Sequence, residues 1–252
     1  MCLALLALDA HPAYSLVVAA NRDEYHARPT APAHWWDEGL LAGRDLHAGG
    51  TWLGVTRTGR FALLTNFRDP SRNDVNAPSR GSLVPEVLLD LREAEAAVMR
   101  IVEDGRAYNG FNLLAGTQAR AAWGSNRVAR SKLLGRGTYG LSNALLDDPW
   151  PKVLSTRRAL DAWVAAGEED VEPLFEALAQ RAPAPDAELP ATGVGLEWER
   201  RLSAPFILSE MYGTRSSTVF TLDRAGNARF VERSFDADGE LSGEVEERFP
   251  CR

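Results

Sequence analysis

A chain of 252 residues, 45% hydrophobic and 25% charged, has the composition of an ordinary folded globular protein, long enough for one large domain or two small ones and neither disordered nor fibrous. Its formal charge of −7, with acidic residues gathered toward the C-terminal third, leaves no broad basic surface for a phosphate backbone, so nucleic acid is not an expected partner. The two cysteines, Cys2 and Cys251, are too few for a disulfide framework or a cysteine metal site, and they fit a reducing, cytoplasmic setting.

The first element is the apolar run Cys2-Leu3-Ala4-Leu5-Leu6-Ala7-Leu8, which reads as a strand ended by Asp9-Ala10-His11-Pro12. It is too short for a membrane span, and no positive charge precedes Arg22, so neither a signal peptide nor stable membrane insertion is expected. If Met1 is removed, Cys2 carries a thiol and a free α-amine together, a nucleophile with its own base. A cysteine in a buried strand is also simply a small hydrophobe, and position alone does not separate the two readings.

Tyr14 to Ala20 reads as a second strand, paired with the first as a hairpin. Asn21-Arg22-Asp23-Glu24 follows. Alternation puts Arg22 and Glu24 on one face and Asn21 and Asp23 on the other, and the hairpin returns residues 21–23 to the neighbourhood of Cys2. An arginine beside a thiol favours the thiolate, and an aspartate can hold the α-ammonium. Such a cluster is equally the composition of a solvated turn.

Residues 28–50, with Pro29, Pro32, Trp35-Trp36 and Gly49-Gly50, read as a long loop of the kind that lines a site. Gly49-Gly50-Thr51 lacks the lysine and spacing of a phosphate loop and is expected to serve a bulge or a close backbone approach. Residues 51–56 and 61–66 form a second expected hairpin around Thr58-Gly59-Arg60. Helical spacing appears over 82–89 and 93–102, then strands over 111–115, 119–123 and 137–142, then helices over 151–166 and 171–180. After the Ala182-Pro183-Ala184-Pro185 break, strands return over 217–223, 228–235 and 243–249. This order predicts an α+β fold whose sheet pairs the two ends of the chain.

Met1-Cys2-Leu3, Asn21-Arg22-Asp23-Glu24, Gly49-Gly50-Thr51-Trp52-Leu53-Gly54, Thr65-Asn66-Phe67-Arg68, Ser79-Arg80-Gly81 and Tyr212-Gly213-Thr214-Arg215-Ser216-Ser217 together resemble the NRDE family, also called the transport and Golgi organisation protein 2 family. The blocks run through nearly the whole chain. The resemblance implies one domain over 1–252 with an N-terminal nucleophile hydrolase fold, a four-layer αββα sandwich with antiparallel sheets. That fold is similar in outline to penicillin V acylases and choloylglycine hydrolases, in which a processed cysteine attacks an amide. The family itself is linked with Golgi organisation, lipid or acyl-CoA metabolism and haem trafficking.

Carried over, Cys2 matches the nucleophile, and Arg22 and Asp23 match its charged pair, although Asn-Arg-Asp departs from the Arg-Asn-x-Asp order of those hydrolases. Asn66 and Asn143 match oxyanion donors, since an amide NH₂ can meet developing negative charge without titrating. Asn143 after a strand is equally a turn residue. Arg215 matches a second arginine near the nucleophile, and Gly213 and Ser216 also permit a plain loop there.

The expected function is therefore a cysteine hydrolase or acyltransferase acting on an amide or thioester of a small or lipid-like substrate. The alternative is a non-enzymatic carrier of haem or a lipid-like acyl ligand, which predicts an apolar-lined pocket. No resident cofactor or metal is expected, and haem enters only as a ligand of the carrier. His26, His34 and His47 show no metal spacing, and Trp35, Trp36 and Trp52 read as a rim over the site or as core.

Overall fold

The computed structural model describes residues 2–118 and 120–252; Met1, and with it the expected processing step, and Ala119 lie outside the described residues. In chain order the elements are β1 (Cys2–Leu8), β2 (Tyr14–Tyr25), β3 (Thr30–Trp35), β4 (Leu40–Asp45), β5 (Leu53–Thr56), β6 (Phe61–Asn66), α1 (Leu83–Leu89) and α2 (Ala94–Asp104). Then come β7 (Phe111–Gly116), β8 (Ala121–Ser125), β9 (Arg130–Leu134), β10 (Gly137–Leu141), α3 (Pro151–Ala166), α4 (Glu172–Leu178), α5 (Leu196–Leu202), β11 (Tyr212–Asp223), β12 (Asn227–Phe235) and β13 (Leu241–Pro250).

The strands form two sheets, in the orders β10-β1-β2-β11-β12-β13 and β3-β4-β5-β6-β7-β8-β9, with every pairing antiparallel. Alternation along β1 explains the layers. Ala4, Leu6 and Leu8 enter a core shared with Leu53, Phe61, Leu63 and Leu114 of the other sheet. Leu3, Leu5 and Ala7 enter a second core with Leu160 and Trp163 of α3 and Leu174 and Phe175 of α4. The far face of the second sheet, with Leu64 and Leu113, buries α1 and α2 through Val84, Val87, Val98 and Ile101. The result is α-β-β-α, and a strand covered on both faces has to be apolar at every position, which is why the opening run shows no alternation. Full burial of each large side chain is worth about 1.5–3 kcal/mol.

Several sequence expectations need correction. The span 28–50 is not one loop but contains β3 and β4, an edge hairpin of the second sheet. Pro32 falls where the β3–β4 register slips between Ala31 and His34, so its missing N–H disrupts no regular ladder. The Asn21–Glu24 cluster does not follow β2 as a solvated turn; it is the end of that strand, with Asn21, Arg22 and Asp23 all buried. β11 begins at Tyr212, five residues before the expected start at 217, because it continues alongside this polar end of β2. β9 and α5 went unpredicted.

Candidate active site

The site is built where β1 starts and β2 ends. The register places Cys2 directly opposite Arg22 across the two strands. Both line a cavity of about 450 Å³ between the sheets, shared with Asp23, Glu24, Arg28, Asp45, His47, Trp52, Asn66 and Arg80. Arg22 is buried under this wall; its Nη1 donates to Thr30 Oγ1 at 2.9 Å, and its guanidinium lies 4.3 Å from the Trp52 ring centroid. Those contacts fix a charged side chain that would otherwise be entropically costly to order.

Asp23 points to the opposite, helix-covered face, as alternation requires. Thr214 Oγ1 donates to Asp23 Oδ1 at 2.7 Å while accepting from the Ile207 N–H, and the Tyr212 hydroxyl donates to the Asp23 carbonyl at 2.9 Å. Asn21 beside it receives the Ser217 hydroxyl and donates to the carbonyls of Leu178 and Pro205. Asn21, Arg22 and Asp23 are therefore each held by specific partners.

Electrostatically the thiolate is opposed. Burial pushes the Cys2 thiol up, the Asp23 carboxylate adds to that, and the Asp23 backbone N–H and the Arg22 guanidinium pull the other way. Burial likewise pushes Asp23 up, against the Lys152 ammonium, the Thr214 hydroxyl and Arg68. The net upward direction for Cys2 means that its proton must be taken by a nearby base when the sulfur reacts.

The other expected residues divide. Asn66, at the end of β6, lines the Cys2 cavity. Asn143 is fully buried, and its Nδ2 donates to the Asn66 carbonyl at 2.8 Å, while its own carbonyl accepts the Arg68 N–H. With Thr65 Oγ1 bound to the Ser142 carbonyl and Ser142 Oγ bound to the Cys2 carbonyl, this stitches β1, β6 and the end of β10 together beneath the thiol. Arg215 sits at a bulge in β11 and donates through Nη1 to the carbonyls of Tyr25, His26 and Arg28; it lines a separate cavity with Glu232 and Ser216, not that of Cys2.

Of the tryptophans only Trp52 reaches the site. Trp36 lies in the core under α1 and α2, and Trp35 packs on Phe249. His47 is on the cavity wall, whereas His26 is held by the Ser209 carbonyl. Among the described residues no group of three His, Cys, Asp or Glu side chains is arranged to hold a metal, and no helix is long and apolar enough to cross a membrane.

Two cations were not picked out from sequence as site residues. Arg80 lines the cavity, interacts favourably with Cys2 and Glu24, and donates to the Gly110 carbonyl at 2.9 Å. Its turn is held by the Thr51 N–H bound to the Gly81 carbonyl. Gly50 packs so closely here that a Cβ would lie 2.4 Å from the Gly81 carbonyl carbon, which accounts for the glycine at position 50. Lys152, in the first turn of α3, is the second.

A further chamber of about 430 Å³ adjoins the first, sharing Glu24, Asn66 and Arg80, and is walled by Phe67, Val194, Trp198, Leu202 and Tyr212 together with Arg68, Asp69 and Asn73. Its α5 wall is fastened by a buried ion pair, Arg68 to Glu199 at 2.7 Å, with Thr192 also bound to Glu199 and the Trp150 ring under Arg68.

Over residues 1–237 the chain matches the family described as Transport and Golgi organisation 2. It is 34% identical over 257 residues to the Transport and Golgi organization protein 2 homolog of Bos taurus, covering 93% of each chain. To the homolog of Homo sapiens it is 33% identical over 265 residues, covering 96% of this chain and 95% of that one. Among solved structures it is similar to a mutant conjugated bile acid hydrolase from Clostridium perfringens, with 10% identity, a TM-score of 0.48, and coverage of 99% of this chain and 96% of that one. The chain belongs to the Transport and Golgi organisation 2 family.

Proposed function

We propose that this protein is a cysteine hydrolase or acyltransferase that cleaves an amide or thioester through an acyl-cysteine at Cys2, in a reducing cytoplasm that keeps its two free thiols reduced. The observation that carries this reading is the half-buried Cys2 on a polar cavity wall, opposite Arg22 and in the same cavity as Asn66.

With Met1 removed, the α-amine of Cys2 takes the thiol proton and Sγ attacks the carbonyl carbon. Arg22 and Arg80 favour the anionic sulfur, and the Asn66 amide is the donor for the oxyanion. Collapse breaks the C–N or C–S bond, and the leaving group takes the proton from the α-ammonium. Water or an acceptor nucleophile then releases the acyl group by the same steps reversed. Asp23 holds the α-ammonium. The polar chamber beside one with an aromatic and apolar wall supports a substrate with a polar part and an apolar part joined at the scissile carbonyl.

Intact-mass spectrometry of the cellular protein tests the first requirement, with loss of Met1 expected. A panel of amides and thioesters should then leave an acyl adduct on Cys2 that is absent from Cys2→Ala. Met1 fully retained on turnover-competent protein overturns the proposal. The aromatic and apolar wall of the second chamber also favours a second reading, carriage of haem or a lipid-like acyl ligand without turnover. Undiminished ligand binding in Cys2→Ala, with no acyl adduct in the wild type, would select it.

A further inference from the structure

Lys152 is the one lysine of the chain's hidden interior with no evident structural task. Its side chain is 1% exposed, and its Nζ has no hydrogen-bond partner among the described residues. A buried lysine is rare, and this one stands in the first turn of α3, where the helix dipole disfavours a cation. Nothing in its own helix favours the charge. Its surroundings do: α3 packs on the outer face of β1 and β10, the face to which Asp23 turns, and Trp150, two residues earlier, supports Arg68.

The charged groups acting on Lys152 are Asp23 from β2 and Cys2 from β1, both favourable, and Arg68 beyond β6, unfavourable. Arg158 and Glu188 line a cavity together with Lys152. Asp23 in turn accepts from the Thr214 hydroxyl and feels the Lys152 and Arg68 charges, with the Tyr212 hydroxyl on its backbone carbonyl.

We propose that Lys152 is a positioning residue of the Cys2 site, the buried counter-charge that holds Asp23 as a carboxylate beneath the thiol. This rests on the nucleophile reading for its purpose, but the coupling itself is a property of the resting protein. A carboxylate sealed under a sheet without a cation takes up a proton, and a neutral acid cannot hold an ammonium. Burial lowers the Lys152 ammonium to about 8, with Asp23 the first influence opposing that fall.

The experiment is a carboxyl ¹³C NMR titration of aspartate-labelled full-length protein, with the Asp23 signal assigned by its loss in Asp23→Asn. In Lys152→Met the ratio of ionised to protonated Asp23 at a fixed pH within its titration should fall about tenfold, and Lys152→Arg should restore most of it. Reciprocally, Asp23→Asn should lower the Lys152 titration, read from its ¹³Cε signal, below about 8. If Lys152→Met is too unstable, Lys152→Gln and the reciprocal arm carry the test. An Asp23 titration unchanged in the lysine variants, or a Lys152 titration unchanged in Asp23→Asn, overturns the proposal. Iodoacetamide labelling of Cys2 is scored separately, so an inert thiol counts against the nucleophile reading and not against this coupling.

Discussion

Cys2 and Arg22 face each other across β1 and β2 on the cavity side of the sheet, so a thiol that burial pushes up has a fixed guanidinium on the same wall. Removing that cation in Arg22→Met should slow alkylation of Cys2 by iodoacetamide about tenfold at neutral pH, the size of one nearby charge. Cys251, half-buried at the other end of the chain, is the internal control. Peptide mass spectrometry reads both rates, and an unchanged Cys2 rate would show that Arg22 serves packing on Trp52 and Thr30 alone.

Asn66 and Asn143 should behave differently when truncated, although they are bonded to each other. Asn143→Ala deprives the half-buried Asn66 carbonyl of its donor and is expected to lower stability by about 1–3 kcal/mol in a urea melt. Asn66→Ala leaves that bond in place, because the bond uses Asn66's backbone. Its expected effect is a fall of about 10²–10³ in acyl-cysteine formation with little change in stability. A full acylation rate in Asn66→Ala removes it as the oxyanion donor.

The apolar cores were legible because periodicity reports burial, and the β1–β2 hairpin followed from two runs and a turn. The nature of the NRDE segment was not: Arg22 and Asp23 are buried by partners from Thr30, Trp52 and Thr214, which no local window contains. β3 was hidden by prolines and a doubled tryptophan that read as loop, since an edge strand tolerates what a central one does not. Lys152 sits in a sequence, Pro151-Lys152-Val153-Leu154, that is ordinary for a helix start, and only tertiary packing seals it. Arg80 was visible as part of a motif and acquires its place at the cavity from the Gly50–Gly81 contact.

Trp198 tests the second chamber. Trp198→Ala should leave Cys2 alkylation by iodoacetamide unchanged and weaken the apparent affinity for an N-phenethyl iodoacetamide by about 5–30-fold, the loss expected for an aromatic contact. Saturation kinetics of Cys2 labelling separate affinity from the chemical step. Equal effects on both reagents would mean that α5 shapes the thiol rather than a binding chamber.

Glu232 supplies a stability test with a definite sign. It is 2% exposed between the sheets, accepting from the Ala33 N–H at 2.7 Å and from the Thr218 hydroxyl, and burial raises it from 4.5 to about 7 in spite of those bonds and of Arg22. Between pH 4.5 and about 7 the folded protein therefore binds more protons than the unfolded chain at this position, so its contribution to stability falls as pH rises through that window. Glu232→Gln keeps an acceptor for Ala33 without the charge, and its amide NH₂ can donate to the Thr218 hydroxyl. The variant should match wild type in urea melts near pH 5 and exceed it by on the order of 2–3 kcal/mol at pH 8. Other titrating groups cancel in the comparison at each pH. A variant less stable than wild type at pH 8 would mean that the ionised carboxylate is the form the fold requires.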